Sequence, residues 1–395
     1  MLKTKLITAA LLVSILALSA GCETHAQRKE AAKLRWKKAT AKAKLPVARG
    51  QIENGKLDEA EKTLRECLEV DTEVAEAHLL MGKVHLARAR MTQASDSLHS
   101  AVELDENLDT AWYFLAVIAQ QNRQSNKALE YYNKAMSLKP DNVNYIIAVA
   151  ETYTARGQYD KALALLGSRS KLLPGSVELK VVSADVLNRL GETEQAIMLY
   201  NQALLLEPGD PDITEALAYC YIINKQWALS AEMFERLVTD PDNTRKADYL
   251  QLLALCCMNA GDYGKAVTYY DQLSITNRDD PELWLQMGQA ALGADAANRA
   301  YACASRALSL RPAWSDAVAL KACAQYLGAD YTAAIKTFKR ITSHKQIGAF
   351  AWTMTARCYQ QLGQAERAKK AYEKAARLSP GSELLSMLME RHIRT

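Results

Sequence analysis

Hydrophobic and polar positions along this chain repeat with a step of 34 residues. Small residues carry the register: Ala60, Ala94, Ala128, Ala162 and Ala196 are equally spaced, Ser230 continues the step, and after two extra residues Ala266, Ala300, Ala334 and Ala368 resume it. Twelve residues before each of these register positions stands Ala or Gly, from Ala48 and Gly82 to Gly288, Ala322 and Ala356. Four residues after it stands a bulky group such as Leu64, Leu98, Tyr132, Tyr200, Phe234, Phe338 or Tyr372. Small residues paired in this way let two helices cross closely, and the bulky group fills the space beside the crossing. Gly55, Gly157, Gly191, Gly261 and Gly363, five before the register position, predict the end of a first helix, where a left-handed residue is needed. Pro140, Pro174, Pro208, Pro312 and Pro380, twelve after it, predict the end of a second. Each unit therefore reads as helix, tight turn, helix, turn. Ten such units span residues 41–382, and stacking one on the next buries a continuous core without any central one.

Two departures from regularity stand out. The two-residue insertion falls in Asp240–Lys246, which predicts a longer connection there. The chain closes with Leu384, Leu385 and Leu388 beside Glu390, Arg391 and Arg394, read as a solvating cap helix over 383–395.

The combination of Trp112, Leu115, Ala116, Ala128, Tyr132, Ala135 and Pro140 resembles the tetratricopeptide repeat (TPR) consensus, and the resemblance covers about 85% of the chain by its ten-unit period. It implies an all-α, right-handed superhelical solenoid whose first helices line a concave groove that holds other proteins or peptide segments. Candidate groove residues lie eleven before the register position (Lys83, Glu151, Asp185, Tyr219, Gln289, Arg357) and fifteen before it (Leu79, Tyr113, Ile147, with Val181, Gln251 and Leu285). No Asn occupies any eleven-before position, which sets the chain apart from TPR proteins that clamp a C-terminal carboxylate with Lys and Asn. Eighteen before the register position runs an acidic row, Glu76, Glu178, Asp212, Asp248, Glu282 and Asp316. It suits either a basic partner or, more simply, the dipole of a helix first turn.

The N-terminus adds a second theme. A basic start is followed by the apolar run Leu6–Ala20 and then Gly21-Cys22. These are the parts of an export signal over residues 1–21, too short for a typical membrane span. The small residues before Cys22 resemble a bacterial lipobox, although Ser19 stands where Leu is usual, and the resemblance implies lipidation of Cys22 and a protein anchored in the bacterial envelope facing the periplasm. An ordinary cleaved signal is the alternative. Residues 22–40 form a basic tether, read as a helix or a partly ordered segment, which suits either anionic lipid headgroups or, more simply, a solvated lead-in to the first repeat. Between residues 23 and 44 eight Lys and Arg face only Glu23 and Glu30, so the formal net charge of +4 is concentrated here and the repeat body is slightly acidic. That distribution does not suit a nucleic-acid binder.

Chemistry is sparse. Signal, tether, repeats and cap leave no room for a catalytic domain. There is no phosphate-binding Gly-rich loop, no Cys-x2-Cys pair, and no expected cofactor or metal. His78 and His85 are seven apart and sit where other units carry Trp112 and Tyr153, so they read as packing groups. Cys220, Cys256 and Cys358 share one repeat position and read as small buried side chains, with a Cys220–Cys256 disulfide the less favoured alternative. Trp36 and Trp314 match no packing position; Trp314 reads equally as an exposed contact for a partner or as a group folded back on its helix. The expected function is a non-enzymatic scaffold, for example in assembly of a pilus, secretion or export complex. The alternative is an accessory subunit that positions a cell-wall or polysaccharide enzyme or binds glycan, which would call for aromatic rows along the groove.

Overall fold

In the computed structural model, residues 25–239 and 244–380 are described. The export signal, Cys22 and the 383–395 cap lie outside them. Among the described residues there are 20 helices and no strand. They divide into two compact units, residues 1–186 and 187–395, each an all-α helical-repeat solenoid.

In the first unit the core passes from pair to pair. Ala41, Leu45 and Ala48 of helix His25–Glu53 pack with Ala60, Leu64 and Cys67 of helix Leu57–Val70 and with Ala77 and Val84 of helix Ala75–Ala87. The next cluster joins Ala94, Leu98 and Ala101 to Ala111, Leu115 and Ile118. The last joins Ile146 and Ala150 to Ala162, Leu166 and Leu179. The second unit repeats the scheme, from Leu285, Ala304 and Leu320 through Val318, Ala334 and Phe338 to Ala356, Ala371 and Tyr372. All ten register residues are fully buried. The reason for glycine twelve before two of them is steric. A Cβ on Gly82 would lie 2.6 Å from Leu98 Cγ, and one on Gly288 would lie 2.5 Å from Leu320 Cδ2.

The left-handed turn is more general than the glycines. All five predicted glycines have positive φ, and so do Ala89, Arg123, Lys225, Asp295 and Ala329, at φ 55 to 62°, which fill the same place in the other five units. The hydrogen bonds explain the tolerance. In these turns the residue after the left-handed one donates its N–H five residues back, as Gln226 does to Tyr221 O (2.8 Å) and Arg90 to His85 O (2.9 Å), closing carbonyls that would otherwise be orphaned. A Cβ in this conformation costs roughly 1–2 kcal/mol, partly offset by the greater flexibility of unfolded glycine. Lys225→Gly, at an exposed position, is therefore expected to stabilise the second unit by about 1 kcal/mol, read as slower amide exchange in its core helices.

Some helix starts carry side-chain caps that the period alone does not reveal. Twenty residues before the register position, Asn142, Asp210 and Asp280 accept N-terminal N–H groups with their side chains, and Pro211 and Pro281 follow at the first helical position. Val74, Leu108 and Trp314 at the same position make no such cap. The basic tether is helical, one of the two forms the sequence allows, and continues past residue 40 into the first helix as His25–Glu53, 29 residues long, which runs through Pro46. One segment differs from the sequence reading. In the ninth unit the second helix is only Tyr331–Phe338, and Ile341, 6% exposed, turns back into the core beyond its end.

Candidate protein-binding surface

The eleven-before row lies on the open side of the first helices. In the first unit Glu151 and Asp185 are exposed and Lys83 is half-buried, with its Nζ 5.4 Å from the centre of the Phe114 ring. In the second unit Tyr219, Gln289 and Arg357 are exposed, Leu255 joins the row at 43% exposure, and Ile223, one turn beyond Tyr219, is 58% exposed. The fifteen-before row behaves differently. Leu79 is 8% exposed and belongs to the core with Ala94, Leu98 and Leu115, so it is removed from the candidate surface. Tyr113 and Ile147 are half-buried against their own core clusters, and Leu285 is buried. A step of four residues turns about 40° around a helix, enough to carry a side chain from the solvent edge into the seam between pairs.

Aromatic networks hold this face in place. Tyr113 stacks on Tyr145 at 5.2 Å and meets the edge of Phe114 at 5.5 Å. The Tyr145 hydroxyl donates to Asp109 Oδ2 at 2.5 Å, and Lys139 Nζ lies 3.1 Å from the same oxygen. In the second unit Tyr219 rests edge-on against Phe234 (5.7 Å), which packs on Tyr249 (5.9 Å). Glu215 accepts from both the Tyr249 hydroxyl and the Arg245 guanidinium, each at 2.8 Å. Burial and the bond to Glu215 push the Tyr249 phenol up to about 12, so it stays a donor at any physiological pH.

Several residues read as bulk from sequence have defined polar roles. Trp112 and Trp284 donate their indole N–H to the carbonyl six residues earlier, Glu106 O at 2.9 Å and Arg278 O at 2.8 Å, pinning the preceding loop. His78 makes the equivalent contact with Thr72 O at 2.9 Å. Tyr132 and Tyr372 donate to Gln120 and Gln360, 2.8 Å each, tying the two helices of a pair. The recurrence of Tyr four after and Gln eight before the register position was the available signal. Trp314 folds back: its indole donates to Asp316 at 3.1 Å, Arg311 lies over its ring, and it packs against the Leu285 cluster. Cys256 is a free thiol that donates to Ser230 Oγ at 3.3 Å, so it forms no disulfide with Cys220. Four of the six acidic-row residues are engaged within the chain: Glu76 with Arg49, Glu178 with the Ser176 hydroxyl, Glu282 with Arg311 and Asp316 with the Trp314 indole. Among the described residues no group of three or more His, Cys, Asp or Glu is placed to hold a metal.

The first unit also holds buried charge. Glu61, 7% exposed, is surrounded by Arg65, Arg88 and Arg90. Burial opposes its ionisation, but the arginines outweigh burial and hold its carboxyl below the ordinary 4.5. At Asp109 burial is likewise outweighed by the bonds from Tyr145 and Lys139, which keep it below 3.8. His85, 8% exposed with Nδ1 buried and unpartnered, is held below 6.5, chiefly by burial. All three shifts are depressions, so their stability is present above the unfolded pKa and is lost on acidification. The expected result is a first unit that weakens below about pH 6.5 through His85, and again below about pH 4.5 through Glu61 and Asp109. Urea midpoints followed by amide exchange at pH 7.5, 5.5 and 4 measure it, and His85→Leu should remove only the earlier step.

Comparison with known families agrees with this geometry. One family model, described as tetratricopeptide repeat, matches residues 168–313. Others match residues 121–203 (anaphase-promoting complex, cyclosome, subunit 3) and 250–379 (cilia and flagella-associated protein 70 middle TPR-like domain). The chain is a tetratricopeptide-repeat protein. A further model, the second ARM domain of tetratricopeptide repeat protein 21, matches residues 39–89, at the first TPR unit. No curated protein matches the chain. Among solved structures, this TPR chain is similar to PilF of Pseudomonas aeruginosa at 20% identity and a TM-score of 0.43, over 54% of this chain and 96% of that one. It is also similar to PilW, described as a type IV pilus biogenesis factor, at 15% identity and 0.38, over 62% and 96%, and to MamA at 20% and 0.38, over 43% and 92%.

Proposed function

We propose that this TPR protein is a non-enzymatic scaffold that holds other proteins or peptide segments at a bacterial envelope, to which a lipid on Cys22 attaches it. The reading is carried by the exposed row eleven before the register position. In the second unit it presents Tyr219 and Leu255, beside Ile223, at 38, 43 and 58% exposure. Aromatic and aliphatic side chains held open on rigid helices are what a peptide or protein partner buries at the centre of an interface. The row offers a single well-exposed tyrosine per unit at most, which favours a peptide over a glycan. Assembly of a pilus, secretion or export complex is the process we assign, and positioning of an envelope enzyme is the alternative.

Two measurements test it. Cys22→Ser should move the protein from the membrane to the soluble fraction of the cell; unchanged fractionation removes the lipid from the proposal. The double change Tyr219→Ala and Leu255→Glu should reduce capture of envelope partners by at least tenfold while amide exchange in the core stays as in the parent. Undiminished capture would remove the second-unit face from the proposal.

A further inference from the structure

The helix His25–Glu53 has two apolar stripes, and the repeats use only one. Ala41, Leu45 and Ala48 are buried against the first pair. On the opposite side Ala32, Trp36, Ala39, Ala43 and Val47 follow at steps of four, three, four and four residues, all exposed. Trp36 is 70% and Val47 54% open to solvent. By helical spacing this stripe occupies a sector of about 80°. Lys33 borders it on one side, with Lys37 a further 40° or so round the helix, and Arg35 and Lys42 border it on the other. Of these only Lys33 is engaged, with Glu30 at 3.2 Å; Arg35, Lys37 and Lys42 have no acidic partner among the described residues.

We propose that this outward face lies on an anionic lipid surface. An apolar stripe with one aromatic side chain, bordered by cations on both sides, is the layout by which a helix lies in a membrane interface: ring and aliphatic groups enter the acyl boundary while the cations meet headgroup phosphates. The stripe from Ala32 to Val47 is about 23 Å long and lies opposite Ala41, Leu45 and Ala48, so docking leaves the core they share with the first helix pair on the far side. The sequence brings the face to the lipid as well. Cys22 is three residues before the helix start in the sequence, and the apolar run Leu6–Ala20 precedes it. The inference rests on the membrane part of the functional reading, but it concerns lipid charge, whereas the fractionation test concerns the acyl chain.

The test uses the full chain with vesicles of phosphatidylcholine alone and with 30% phosphatidylglycerol, reading amide exchange over residues 27–47. The expected result is exchange at least fivefold slower on the anionic vesicles, with the difference lost in 0.5 M salt and in Arg35→Glu/Lys37→Glu/Lys42→Glu. Trp36→Ala should reduce it. These residues are exposed, so unchanged exchange in the repeats verifies that the variants fold. Equal exchange on both vesicles, or protection that persists in the charge-reversed variant, would overturn the proposal. So would equal protection by soluble polyglutamate on neutral vesicles, because the partner would then be an acidic polymer and not a lipid surface.

Discussion

Replacing Ala162 by leucine is expected to destabilise the first unit by about 3 kcal/mol, the upper end of what overpacking costs. Ala162 is fully buried and shares its cluster with Ala150, twelve residues earlier, and with Ile146, Leu166 and Leu179. Three added carbons have nowhere to go unless the helices move apart. That movement would open the contact on which the next pair is stacked. Ala164→Leu, two residues away on the exposed side of the same helix, should change stability by less than about 0.5 kcal/mol. Because stability in a repeat array sums over neighbouring units, amide exchange resolved by helix is the right measurement. The loss should be largest in Val143–Ala155 and Tyr159–Leu172. A cost at Ala162 no greater than at Ala164 would contradict the packing account.

The second large effect is expected at Phe234. Its ring is fully buried, with Tyr219 edge-on at 5.7 Å and Tyr249 at 5.9 Å. Phe234→Ala removes a side chain whose loss costs about 3–5 kcal/mol. It also removes the surface on which Tyr219 is oriented. Partner capture should therefore fall even where the second unit remains folded. Phe234→Leu keeps most of the volume but no ring edge for Tyr219, and should cost about 1 kcal/mol. If Phe234→Ala weakened the fold while capture per folded molecule stayed constant, Tyr219 would not belong to the contact.

The register alanines, the Ala/Gly positions opposite them and the bulky groups beside them could be read from spacing because each has one steric job repeated ten times. Three features could not. The left-handed turn was legible where glycine filled it. At Ala89 or Lys225 it was not, because hydrogen bonding across the turn tolerates a Cβ there. The indole donors of Trp112 and Trp284 looked like bulk, since nothing in the sequence says that a carbonyl six residues earlier faces the ring. Register alone points the fifteen-before row to the surface, whereas the turn of about 40° between it and the eleven-before row carries Leu79 into the core. The candidate surface is therefore narrower than the sequence suggests, and in the second unit its apolar part is Tyr219, Ile223 and Leu255.

The central claim is that partners are held by the open side of the first helices. Placing a photo-crosslinking amino acid in the cell at Tyr219, Leu255 and Gln289, and separately at Glu232 and Gln272 on exposed faces of second helices, tests it directly. Discrete protein adducts are expected from the first three sites and none from the last two. Adducts of equal yield from both sets, or from the second helices alone, would contradict it.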